Sequence, residues 1–135
     1  MSKIKIYTHR IAYILPTGKT SKHLAHYVDA STTNPQDALT SWERQHKFAP
    51  KRFTLEEIPH PKKWSKFTIG DKVHYITSMD SSGNQVIYKN MEVEKIRWIG
   101  EWEYVLSRGD HLYGWVNENL ILDSTTPIDK DTIAL

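Results

Sequence analysis

His23 and His26 stand three residues apart, the spacing at which one helical face presents two imidazoles to a metal ion. The surrounding "HLAHYVDAS" has strand composition, and in a strand residues three apart point to opposite faces. No third ligand lies nearby, and His9, His46, His60, His74 and His111 are scattered along the chain, so no metal site is expected. "TGKTSK", Thr17–Lys22, has the residue types of a phosphate loop, but it lacks the spacing and the first glycine of the Walker pattern, and no clear helix follows it. Glu56 and Glu57 are adjacent, so in a strand they face opposite ways. Glu101 and Glu103 share a face, the one opposite Trp102 and Tyr104, which turns them toward solvent. Ser, His and Asp are present, yet a catalytic triad is defined by geometry rather than content. A protein without catalytic activity and without a cofactor is expected.

Two other groupings carry more weight. Arg44, Lys47, Lys51 and Arg52 gather at the end of one helix and the start of the next strand, and Lys62, Lys63 and Lys66 follow with Trp64 among them. Positive charge interleaved with an aromatic suits single-stranded nucleic acid, through phosphate contact and base stacking. The competing reading is a helix C-terminus favoured by basic residues and a linker kept soluble by lysine. The second grouping is "WIGEWEYVLSRGDHLYGWVNENLIL", Trp98–Leu122, with three of the chain's five tryptophans. Aromatics that do not fill a core mark a contact surface. The alternative is that they pack against residues 1–66.

The elements that must position these residues follow from size and pattern. The 135 residues, 39% hydrophobic and 25% charged, suit one domain or two very small ones with a real core. There is no cysteine, which removes disulfides, thiolate metal sites and thiol catalysis. No apolar run approaches the ~20 residues of a membrane span, and "MSKIKIYTHR" lacks the apolar core of a signal peptide; a soluble cytoplasmic protein is expected. Residues 1–66 hold twelve Lys/Arg against five Asp/Glu, +7, and residues 67–135 hold six against eleven, −5. The two halves therefore have different partners, attract each other, or carry ordinary solvated surfaces.

"KIKIYTHRIAYIL", "HLAHYVDAS" and "KRFTLEEI" read as strands. Between the last two, "TTNPQDALTSWERQHKF" reads as a helix. Thr33 or Asn34 is the N-cap, Pro35 sits at the first helical position, Asp37 lies in the first turn, and Ala38, Leu39 and Trp42 form the apolar stripe. "IPHPKKWSK", residues 58–66, is the best boundary. Beyond it, "FTIGDKVHYIT", "VIYKNMEVEKIRWI", "GEWEYVLS", "LYGWV" and "LIL" read as five strands, with a slip after Val93 that suggests a bulge and a single helical turn at "NEN". Strand alternation sends Trp102, Tyr104 and Leu106 to the core, and puts Tyr113 and Trp115 on one face with Val116 on the other. "DSTTPIDKDTIAL" reads as a polar, loose tail.

The stretch "GDHLYGWVNENLIL" resembles the end of SH3-like barrels, with Gly114, Trp115, Val116, Asn119, Leu120 and Leu122 in the matching places, and "FTIGDKVHYI" looks like their first strand. The resemblance covers roughly residues 67–122 and implies a small binding barrel rather than a specific function. The chain departs from the proline-rich-peptide binders of that family. It lacks their Ala-Leu-Tyr-Asp-Tyr motif, and Asn117 and Leu120 stand where they carry proline and tyrosine, so recognition of polyproline segments is not implied.

The expected architecture is α+β: a β-β-α-β unit over residues 1–58, a linker over 59–66, a five-stranded SH3-like barrel over 67–122 and a tail over 123–135. The expected function is docking on a protein partner through Trp98, Tyr113 and Trp115, bordered by Glu94, Glu101 and Asp110. The alternative is nucleic-acid binding through Arg44, Lys47, Lys51, Arg52, Lys63 and Trp64.

Overall fold

The computed structural model describes residues 3–29, 34–46, 52–79, 81–128 and 132–135. The chain divides into two compact units. One comprises Lys5–Lys62 with Trp98–Gly100; the other comprises Met1–Ile4, Lys63–Arg97 and Glu101–Leu135.

The first unit holds most of β1 (Ile4–Ile14), with β2 (Thr20–Asp29), α1 (Pro35–Gln45) and β3 (Phe53–Glu57). Its strand–strand–helix–strand order follows the sequence pattern. β1 is the central strand, antiparallel to β2 on one side and to β3 on the other. α1 begins where the punctuation demands. Asn34 is extended at the N-cap and its side-chain oxygen accepts from the Gln36 N–H at 3.1 Å, while Pro35 occupies the first turn. Leu39 is the helix's buried residue; with Ile11 and Val28 it forms a core against which Ala38, Trp42, Phe53 and Leu55 pack. The helical period of 38, 39 and 42 and the strand period of 53 and 55 thus meet on one apolar seam.

The second unit is built of strands: β4 (Lys72–Met79), β5 (Gln85–Trp98, of which Trp98 belongs to the first unit), β6 (Trp102–Arg108), β7 (His111–Asn117), β8 (Ile121–Asp123) and β9 (Ile133–Ala134), with a 3-10 turn at Glu118–Leu120. Along β6, Trp102, Tyr104 and Leu106 are buried, as period two requires. Buried on the neighbouring strands are Val73, Met91, Val93, Ile96, Val116 and Ile121. Tyr104 is the largest of the fully buried side chains among the described residues. Its hydroxyl donates to Glu118 Oε2 at 2.5 Å and accepts from the Phe67 N–H at 3.4 Å. Burial, and then the bond to Glu118, push the Tyr104 phenol well above its ordinary pKa.

The expected class needs correction. The molecule is predominantly β, and among the described residues it has a single α-helix. Among the described residues, the strands of the second unit are linked by hydrogen bonds into a mixed ladder that does not close into a five-stranded barrel. Within the second unit β6 pairs β5 and β7, and β4 pairs β5 and, over Val73–Tyr75, β8. Closure requires every strand to have two neighbours, and among the described residues β7 and β8 have one each. The stretch read as a loose tail contributes a strand: Ile133 and Ala134 pair in parallel with Val86 and Ile87 of β5. Among the described residues no helix is long and apolar enough to cross a membrane.

Candidate functional site

The outward face of β5–β6–β7 in the second unit gathers three of the six expected contact residues, Glu94, Glu101 and Trp115. β6 turns Glu103, Val105 and Ser107 away from the buried row of Trp102, Tyr104 and Leu106. Across the antiparallel ladder, Glu103 lies opposite Asn117 and Ser107 opposite Leu112, and such directly opposed residues share a face. At its centre the Arg97 guanidinium carbon lies 4.3 Å from the centroid of the Trp115 ring. Arg97 Nε and Nη2 both donate to Glu103 Oε1, at 2.9 and 2.7 Å. Only 19% of the Arg97 side chain and 14% of Glu103 is accessible, so the pair is a fixed platform rather than a mobile surface bridge. Trp115 lies on it and remains 38% exposed.

Carboxylates ring this platform. Asn117 Nδ2 donates to Glu101 Oε2 at 2.7 Å, and the Ser107 hydroxyl donates to Glu94 Oε1 at 2.7 Å. The Ser107 bond comes first in holding the Glu94 carboxyl below its ordinary pKa, so Glu94 keeps its charge. Leu112, 68% exposed, supplies a second apolar group. The face combines a preorganised indole, an exposed leucine and a row of anionic oxygens.

Tyr113 does not belong to this face. The β6–β7 register shifts between Tyr104 and Leu106: Tyr104 opposes Val116 while Leu106 opposes Tyr113. β7 therefore carries one extra residue at Gly114–Trp115, a bulge. Tyr113 thereby comes to share the inward side with Val116, and of the two aromatic rings it is Trp115 that is turned outward. Gly114 is required there, because a Cβ would meet Tyr104 O at 2.9 Å and Val105 Cα at 3.0 Å. Tyr113 instead closes a cluster with Tyr75 and Tyr88, at centroid distances of 6.3 and 5.6 Å.

The remaining expected residues are dispersed. Trp98 lies in the first unit, half-buried, with its indole N–H donating to Pro59 O at 2.8 Å. Asp110 is exposed in the β6–β7 turn. Of the basic set, Arg44 is exposed in the last turn of α1 and Arg52 is exposed just before β3, while Lys47 and Lys51 fall outside the described residues. Lys63 and Trp64 belong to the second unit. Lys63 O accepts the Trp102 indole N–H at 3.0 Å, and Trp64, 61% exposed, sits at a ring-centroid distance of 5.6 Å from Trp102. β2 is a strand across His23 and His26, and the His26 ring stacks on Trp42 at 4.5 Å. Among the described residues no group of three or more His, Cys, Asp or Glu side chains could hold a metal ion.

Arg97, Glu103 and Leu112 are the members of the face that the sequence pattern missed as partners of Trp115. Strict alternation from Ile96 hides Arg97, but a cation in β5 and a glutamate in the next strand, β6, are a usable signal for a pair across strands. No family model, curated protein or solved structure matches the chain.

Proposed function

We propose that this is a non-catalytic cytoplasmic binding protein that docks on a protein partner through the outward face of β5–β6–β7. The observation that carries this reading is the half-exposed Trp115 held on the Arg97–Glu103 pair. Interfaces favour rigid aromatic anchors, because little side-chain entropy is lost on contact. The neighbouring carboxylates Glu94, Glu101 and Glu103 select the partner's chemistry: a segment with an apolar side chain to cover Trp115 and Leu112, flanked by Lys or Arg. Residues 109–122, which resemble the closing segment of SH3-like domains, support a binding role by analogy.

The test is affinity capture from the source organism with wild-type protein and Trp115→Ala in parallel, followed by calorimetry on the purified captured protein. A partner held by the wild type and lost by Trp115→Ala, with an affinity that falls as salt is raised, supports the reading. Equal binding by the two proteins rejects this face.

The alternative, nucleic-acid binding, is favoured by one observation: the 61% exposed Trp64 among Lys62, Lys63 and Lys66. Titration with a fluorescent single-stranded oligonucleotide at low and high salt checks it. Binding that is lost with Trp64→Ala and falls steeply with salt supports that reading, and no binding at low salt ends it.

A further inference from the structure

The edge of β5 at Val86–Lys89 is covered by a segment paired to it through the backbone, with side chains that stay partly exposed. Val86 pairs with Ile133 and Ile87 with Ala134, in parallel. The Leu135 N–H donates to Ile87 O at 2.9 Å, and Leu135 O accepts from the Lys89 N–H at 3.0 Å. A second donor closes on the same oxygen: Arg108 Nη1 lies 2.9 Å from Leu135 O. The Arg108 guanidinium also sits 5.8 Å from the centroid of the Tyr88 ring. Lys89, Tyr88 and Arg108 thus form a receptor for one carbonyl of an extended chain.

The side chains of the occupant are only partly covered. Ile133 is 37% exposed, Leu135 is 52% exposed, and Ala134 is exposed as well. A few exposed backbone bonds barely offset the entropy of ordering the residues that make them. The donors and acceptors on β5 are fixed by the antiparallel β4 ladder on its other side. An edge of this kind, with a short and weakly held strand lying on it, is a template for strand addition.

We infer that the Val86–Lys89 edge is a peptide-acceptor site, filled in cis by Thr132–Leu135 and able to take in trans an extended partner segment with aliphatic side chains two residues apart. Ile133 and Leu135 show that chemistry in place: period two puts both on one side of the added strand. The site is separate from Trp115, so its failure leaves the docking face intact, and the reverse holds too. The attached segment acts as a competitor whose effective concentration is set by its short tether. The edge therefore opens to a partner only when the segment leaves.

The experiment compares the full chain with a variant ending at Asp131, each titrated with a synthetic peptide of residues 127–135, "PIDKDTIAL", and followed by backbone amide NMR. The truncated chain should bind the peptide with shifts centred on Val86–Lys89 and Arg108, and the full chain should bind it about tenfold more weakly or worse. Arg108→Ala in the truncated chain should weaken binding several-fold. A folded truncated chain that ignores the peptide, binds it elsewhere or self-associates through this edge instead overturns the proposal, as does equal binding by the full chain. Hydrogen exchange on the full chain keeps the test decisive if truncation prevents folding. Exchange of the Lys89 and Leu135 amides about a hundredfold faster than that of Val93 shows a segment that opens locally, while exchange at the core rate overturns the inference.

Discussion

The Arg97 guanidinium carbon lies 4.3 Å from the centroid of the Trp115 ring, while its Nε and Nη2 both donate to one oxygen of Glu103. The indole is thereby held by electrostatics on one side and left open on the other. Ring and guanidinium come from β7 and β5, with Glu103 on β6 between them, so the geometry depends on the three-strand register and not on local propensity.

Stability and binding should separate at this face. Trp115→Ala removes a half-exposed ring and its cation–π contact, a loss of about 1 kcal/mol or less in unfolding free energy. The same change should weaken partner binding by about tenfold or more, as expected for an aromatic anchor. Arg97→Ala should behave differently. It leaves the mostly buried Glu103 carboxylate without these two bonds and should cost about 2 kcal/mol in urea unfolding. Equal stability losses in the two variants would show that Arg97 and Glu103 do not form the fixed base described here.

Tyr104 tests how the second unit is tied together. Its ring meets Phe67 at 5.7 Å, and its hydroxyl bridges the Phe67 N–H and Glu118, whose Oε2 also accepts from the Lys66 N–H at 3.0 Å. Tyr104→Phe keeps the ring and strands the buried N–H, so unfolding free energy should fall by about 1–3 kcal/mol with little change in the circular dichroism spectrum. Tyr104→Leu should cost more, because it also leaves a cavity.

The features legible in the sequence were those governed by local period and punctuation. Asn34–Pro35 marked the helix start, and Ala38, Leu39 and Trp42 marked its buried stripe. The buried row Trp102, Tyr104 and Leu106 followed from strict alternation. What was hidden depends on contacts between strands. The bulge at Gly114–Trp115 separates Tyr113 from Trp115, although two residues of an uninterrupted strand at that spacing share a face. Asn90, with a positive φ of 57°, accompanies a further shift, where Val73 opposes Met91 but Tyr75 opposes Tyr88. The β9 pairing was invisible because two residues carry no period, and β5 is chosen as its partner by an open edge far away in sequence. The resemblance to SH3-like domains led to an expected closed barrel, but closure is a property of edges meeting and no strand sequence encodes it alone.

Acid should weaken the second unit through two carboxylates. The Thr125 N–H, then the Thr125 hydroxyl, hold the Asp123 carboxyl below its ordinary pKa, with both donors on Oδ1 at 2.8 and 2.7 Å. Ser107 does the same for Glu94. A carboxyl with a lowered folded pKa contributes stability that is complete above its unfolded value, about 4, and is lost as pH falls through the folded value. Unfolding free energy should therefore be level with respect to these groups from neutral pH to about 5 and decline below that. Asp123→Asn and Glu94→Gln should each flatten the acid limb in urea melts taken between neutral pH and about 3. An unchanged limb in the double variant would place the acid sensitivity elsewhere.

Gly114→Ala probes the bulge on which the Trp115 geometry rests. The added methyl would approach Tyr104 O at 2.9 Å, Val105 Cα at 3.0 Å and Val105 Cγ2 at 3.1 Å. The first two belong to the backbone of β6, whose Tyr104 side chain is itself buried, so relief requires the β6–β7 ladder to part rather than a side chain to turn. Overpacking against a fixed backbone costs about 1–3 kcal/mol, read as a lower urea midpoint at constant slope. The strand shift should also lift Trp115 from Arg97, which moves the indole to a wetter setting. Val105→Ala in the same background removes Cγ2 and relieves only the third contact, so it should restore little. Substantial rescue by Val105→Ala would mean that the side chain, and not the β6 backbone, demands glycine at position 114.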